Sequence, residues 1–167
     1  NASAFAASAE FGALPKDVKD RAREMIDKAL NGPRKERVSQ LRGELQASMM
    51  DNASVFRTQE TLSAQVAKIA ELEERYQQIG VEDKGKVYNT ELMEALELGF
   101  LIDNAKLLVH AALNRTESRG AHSREDHKER DDVNWLKHTL VHKDGDGLRI
   151  SYKPVTLGRY EPKPRVY

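Results

Sequence analysis

The sequence predicts a mainly α protein: an antiparallel bundle of three to four helices, followed by a charged loop, a short β-hairpin and an extended C-terminal arm. Three observations carry that prediction. Apolar residues recur at three- and four-residue steps through four successive segments before residue 114, the period at which a helix buries one face. Aromatic residues make up only 6% of the 167 residues against 32% charged, which is poor in the residue types that a sandwich or barrel requires. After Trp135, two short extended runs flank Asp144-Gly145-Asp146-Gly147, the composition of a hairpin turn.

Residues 1–34 read as a leader and a first helix. Positions 1–14 carry one charge, Glu10, and no clean period, so a loose leader is expected. From Lys16, Val18, Ala22, Met25, Ile26, Ala29 and Leu30 form one stripe; Pro15 suits a first helical turn and Asn31-Gly32-Pro33 ends the helix. The bundle proper is expected over residues 35–114. Its first helix starts near Lys35, sets Val38, Leu41, Leu45 and Met49 on one side, and begins to end at Asp51-Asn52. Val55 and Phe56 then read as a short buried connection, and Thr58 can cap the next helix by accepting a bond from an exposed amide. The stripe Leu62, Val66, Ile69, Leu72, Tyr76 and Ile79 continues to Gly80, which closes that helix. A polar loop from Glu82 to Tyr88 leads to a helix from about Asn89 to Leu113, apolar on most sides and expected at the centre of the bundle. Met25, Met49 and Met93 are expected to fill the core. Residues 115–167 comprise the charged loop, strands over His138 to Lys143 and Leu148 to Val155, and an arm from Gly158 to Tyr167 with Pro162 and Pro164.

Composition excludes several function classes. Lys plus Arg equals Asp plus Glu at 27 each, so the basic excess on which binding through counterion release depends is missing, and no nucleic acid partner is expected. With no cysteine, disulfide frameworks, thiolate metal sites and a Cys nucleophile are all excluded, and a reducing interior suits the chain. No run approaches the roughly 18 apolar residues of a membrane span, so no direct membrane insertion is expected. Neither a GxGxxG nor a GxxxxGK[ST] loop occurs, which leaves no nucleotide cradle. His138 and His142 fall in a predicted strand, where four residues separate them by roughly 13 Å, too far to share a metal. Asp144-x-Asp146-Gly147 lacks the later ligands of a calcium loop, and Asp131-Asp132 reads as a turn cap rather than an acid–base pair. No catalytic, cofactor-binding or metal-binding residue is therefore expected. The chain begins at Asn1 without Met, and Asn1-Ala2 reads as the remnant of a cleaved tag, so a piece of a longer protein is expected.

The segment of greatest chemical density is residues 115–132, with eleven charges in eighteen positions beside His122 and His127. Buried charge is costly unless paired, so the segment folds only against complementary charge. Arg119 is expected not to pair easily with Glu117, nor Arg124 with Asp126, which would place the matching surface elsewhere. Arg115, Glu117, Arg119, His122, Arg124 and Asp126 are the candidate docking residues.

The run RTESRGAHSRED, followed by Arg130-Asp131-Asp132 and Asn134-Trp135, resembles the signature near the end of the flavoprotein subunit of succinate dehydrogenase and fumarate reductase. Leu45-Gln46-x-x-Met49, Asn52 to Thr58 (NASVFRT), Asn89-Thr90-Glu91-Leu92, Glu94 to Leu98 and Ser151 to Val155 fit the same family, so the likeness runs from about residue 35 to 167. It implies a C-terminal helical domain packed on an FAD-binding domain of an oxidoreductase of the tricarboxylic acid cycle and electron transport, which takes succinate to fumarate. The implied partners are that FAD-binding domain and the iron-sulfur subunit, with self-association of the fragment as a further mode. The implied setting is cytoplasmic, with the parent complex peripheral on the inner face of the cell membrane. FAD, the covalent flavin histidine and the catalytic His and Arg residues of the family lie upstream, so the fragment alone is expected to be inactive and to hold no cofactor. The alternative from another class is a free-standing helical module that binds a partner protein through its charged loop.

Overall fold

A computed structural model describes residues 2–10, 12–13, 17–145, 147–159 and 162–163, with Val18 described by its backbone alone. The expectations for Pro15, Lys16, the Val18 side chain and the end of the arm (Pro164 to Tyr167) lie outside the described residues. Within the loose leader expected, Ala2–Ser8 form a helix, α1, as a segment rich in the strongest helix former can. It buries none of its residues, and Phe5 is exposed.

The bundle follows in order as α2 (Val18–Asn31), α3 (Val38–Ala53), α4 (Gln59–Tyr76) and α5 (Thr90–Asn114). Helices α3, α4 and α5 pack pairwise and α2 lies against α5. The core takes Leu41 and Leu45 from α3, Leu62, Ile69 and Leu72 from α4, and a narrow seam on α5. That seam, Ala95, Leu98, Ile102, Ala105, Val109 and Ala112, advances by three and four residues and faces the neighbouring helices. Gln65 is fully buried among the apolar residues and satisfied: Asn52 donates to its Oε1 at 3.0 Å and its Nε2 donates to Ser48 at 3.0 Å.

Three burial expectations are corrected. Val55 and Phe56 are exposed, at 57% and 68%, because backbone pairing rather than side-chain packing holds that connection. Met25 and Met93 are also exposed, while Met49 packs against the core. Helix α5 is central on one side only: Met93, Phe100, Leu101 and Leu108 sit off its seam and face outward, where none of the packed helices covers them.

Helix ends follow the capping chemistry of the sequence. Thr58 accepts from the Thr61 amide at 3.1 Å while the Thr61 hydroxyl accepts from the Thr58 amide at 3.1 Å, a reciprocal cap on α4. Asn89 caps α5 by accepting from the Leu92 amide at 2.8 Å. A lattice of charge ties α3 to α4: Arg75 donates to Glu36, Glu44 and Glu71, and Lys68 to Glu44 and Glu71.

Two strand pairs complete the fold. Phe56–Arg57 (β1) pairs in parallel with Ser123–Arg124 (β2), so the start of α4 is joined to the charged loop. After the single turn α6 (Asp132–Trp135), Lys137–Asp144 (β3) and Gly147–Pro154 (β4) form the expected antiparallel hairpin, from Lys137 opposite Pro154 to Asp144 opposite Gly147. Gly145 takes φ +58° in its turn, a region that side chains with a Cβ rarely adopt.

Candidate functional site

The charged loop folds upon itself at the C-terminal end of α5. Arg119 and His122 exchange both backbone hydrogen bonds, at 2.8 and 3.0 Å, across a two-residue turn in which Gly120 takes φ +60°. This turn sets the side chains of the six candidate residues in two groups.

In the first group Glu117 is fully buried and sits between two guanidinium groups. It accepts from Arg115 Nε at 2.8 Å, from Arg119 Nε at 2.8 Å and Nη2 at 3.0 Å, and from the Asp131 amide at 2.9 Å. Burial alone would raise its pKa, but the hydrogen bonds from Arg119, the Asp131 amide and Arg115 outweigh it and hold the carboxyl below its ordinary value. Arg119 also donates to Asp132 at 2.7 Å, and Arg115 donates to the Lys137 carbonyl at 3.0 Å, to Thr139 Oγ1 at 3.1 Å and to the Trp135 carbonyl. The loop, α6 and β3 are thereby fastened together through one carboxylate.

In the second group Arg124 is fully buried and forms a bidentate pair with Asp126, Nε to Oδ1 at 2.7 Å and Nη2 to Oδ2 at 2.8 Å. Its Nη1 donates to the carbonyls of Ala112, Leu113 and Arg115 at 3.2–3.3 Å, where α5 ends. Asp126 Oδ2 in turn accepts from the Gln59 amide at 2.7 Å, the first residue of α4. A cation meets the carbonyl end of one helix and an anion the amide end of another, each the favourable partner of that helix dipole. The Arg124 hydrogen bonds hold Asp126 well below the usual carboxylate range.

Both local pairs contradict the expectation that Arg119 with Glu117, and Arg124 with Asp126, would not pair easily. In extended chain, residues two apart point to the same side, so the alternation that separates neighbours brings these partners together. Glu117 and Arg124 expose no surface, and the loop's charge is matched largely from within.

The sixth candidate, His122, joins the first group to Arg57. Its Nδ1 lies 3.0 Å from Arg57 Nη1, which can only donate, and its Nε2 lies 3.1 Å from the Arg115 carbonyl, which can only accept. The imidazole is therefore the neutral Nε2–H tautomer. Burial, reinforced by the charges of Arg57, Arg124 and Arg115, keeps its pKa below the ordinary value against the opposing bond to the Arg115 carbonyl. Asp131 caps α6 by accepting from the Val133 and Asn134 amides at 3.0 and 2.9 Å, as the capping reading predicts.

Arg115, Arg119 and His122 line an open cleft of about 500 Å³, joined there by Arg57, Leu108, Trp135 and Lys137. Lys137 Nζ lies 4.8 Å from the Trp135 ring centroid and 4.0 Å from that of Tyr152, within the range of cation–π attraction. Arg57 and Lys137 are absent from the sequence-derived candidates. Arg57 stands inside the quoted NASVFRT stretch, but only its parallel pairing with the loop reveals its place in the cleft. His138 and His142 alternate with Thr139 and Val141 on the outer face of β3, and no group of acids and histidines among the described residues could hold a metal ion.

The family model for the C-terminal part of the fumarate reductase flavoprotein matches residues 42–167. The chain belongs to this family. It is 44% identical over 130 residues to the fumarate reductase flavoprotein subunit of Haemophilus influenzae, covering 77% of this chain and 22% of that protein. Against the succinate dehydrogenase flavoprotein subunit of Rickettsia felis the identity is 48% over 121 residues, 72% of this chain and 20% of the relative. The fold matches a solved variant of E. coli quinol fumarate reductase with a TM-score of 0.86 and 35% identity, over 99% of this chain and 29% of that one. The chain thus spans under a third of the relatives it matches, and it is the C-terminal domain of a succinate dehydrogenase or fumarate reductase flavoprotein subunit. Among the described residues, no helix of this flavoprotein domain is long and apolar enough to cross a membrane.

Proposed function

We propose that the chain serves as the structural C-terminal domain of an FAD-dependent oxidoreductase that interconverts succinate and fumarate, docked on the FAD-binding domain of the same subunit. The observation that supports this most directly is the family match over residues 42–167 of a chain that corresponds to less than a third of its relatives. The flavin and the chemistry belong to the remainder of the subunit, and the iron-sulfur subunit is the partner that would receive its electrons. The complex would sit on the inner, cytoplasmic face of the cell membrane.

In this reading Arg115, Arg119 and His122 form the docking face. Glu117 sets the two guanidinium side chains from behind, while Arg124 and Asp126 fix the backbone that carries them, since a guanidinium fixed by a carboxylate loses less freedom on binding than a mobile one. The test is the intact mass of the native polypeptide in its source cells, detected with an antibody against residues 115–132. A band several times larger than the 167-residue chain, carrying flavin, supports the reading; a flavin-free band at the size of the chain overturns it.

A further inference from the structure

The cleft is unevenly charged. Arg115 and Arg119 share Glu117, Arg119 and Arg130 share Asp132, and Arg124 has Asp126. Arg57 differs from all of them. It is half-buried, its Nε donates to the Ala53 and Ser54 carbonyls at 3.2 and 2.7 Å, and its Nη1 donates to the neutral His122. No carboxylate among the described residues pairs with it, and its Nη2 donates to none of them. Lys137, on the same cleft, is also without a carboxylate there and rests on aromatic rings instead. Among the described residues, those that line the cleft include no acid.

A guanidinium taken partly out of water favours a carboxylate over a neutral acceptor, because only the anion offsets its charge as well as accepting its hydrogen bonds. His122 cannot supply the missing charge. Its tautomer, fixed by the Arg115 carbonyl, offers Arg57 only a lone pair, and so holds the guanidinium in place without neutralising it. Most of the length of the relatives lies outside this chain, which supplies a source of acidic side chains.

We propose that the cleft is a carboxylate receptor in which Arg57 takes an aspartate or glutamate side chain from the part of the flavoprotein subunit outside this chain. The inference rests on the docking reading above and deepens it by naming the residue and the chemistry of the contact. Arg57 is a positioned anchor, not a catalytic residue.

The experiment uses the full-length subunit and a carbodiimide, which joins a lysine to a carboxylate in contact with it. Native Lys137 reports docking in general, and Arg57→Lys reports the receptor. The expected result is an isopeptide from position 57 to an Asp or Glu outside the chain, unaffected by excess glutarate. Arg57→Glu should speed amide exchange over residues 115–143 by about tenfold, while Arg57→Lys leaves it near the native rate. Links from Lys137 to outside residues, with position 57 joined only to carboxylates of this chain or to none and Arg57→Glu without effect, would overturn the inference and leave docking intact. Loss of the position 57 link in glutarate would also overturn it, in favour of a free dicarboxylate. Failure of both lysines to reach outside residues would overturn both readings.

Discussion

Arg124 and Asp126, two residues apart, form a bidentate pair that joins the end of α5 to the start of α4. One side of the pair takes up carbonyls at the end of α5, and the other takes up an amide that α4 leaves free. The signature loop is therefore a clasp for the bundle as well as a wall of the cleft.

Removing the charge of Asp126 tests the clasp. Asp126→Asn leaves the fully buried Arg124 without its counter-ion, and breaking such a pair costs about 3 kcal/mol. Urea unfolding should show a midpoint shift of that size at unchanged slope.

The cap on α4 acts at the same corner. Thr58→Ala removes the acceptor for the Thr61 amide and is expected to cost about 1 kcal/mol, whereas Thr58→Ser, which keeps the hydroxyl, should cost little. Thermal unfolding of the two variants checks the difference.

The loop turn depends on Gly120. A Cβ there meets no neighbour, but at φ +60° the left-handed backbone costs roughly 1–2 kcal/mol for a residue that has one. Gly120→Ala should lose that much stability, and Gly120→Asn less, by the same unfolding measurement.

Acid should weaken the α3–α4 lattice. Hydrogen bonds from Arg75 and then Lys68 hold Glu44 at about 2, below its ordinary 4.5. Because the folded value is depressed, the unfolded chain binds the proton first as pH falls. The stabilisation is complete above about 4.5 and disappears as pH drops towards about 2. The pair is partly exposed, so its contribution is about 1 kcal/mol. Glu44→Gln should lower stability at neutral pH by that amount and flatten the acid limb of a pH titration of the unfolding midpoint.

How much of this was readable in the sequence depends on the range of the interaction. Helices α3, α4 and α5, the Thr58 cap and the β3–β4 turn rest on neighbours within a few positions, and the apolar period and turn residues announce them. The six loop residues were recognisable by type, but the pairing of Glu117 with Arg119 and of Arg124 with Asp126 needs the extended backbone that only folding supplies. Arg57 reaches His122 across 65 positions through a two-residue parallel pairing, too short to leave a pattern. The outward Met93, Phe100 and Leu108 were misplaced because hydrophobicity marks a preference for burial without naming the partner that provides it.

The most direct test of the account is amide exchange over residues 115–143, measured in the full-length flavoprotein subunit and in the separated chain. Docking of the cleft predicts slower exchange of these amides in the full-length protein, lost on combined charge reversal of Arg115 and Arg119. Equal exchange in the two proteins would contradict a docked domain.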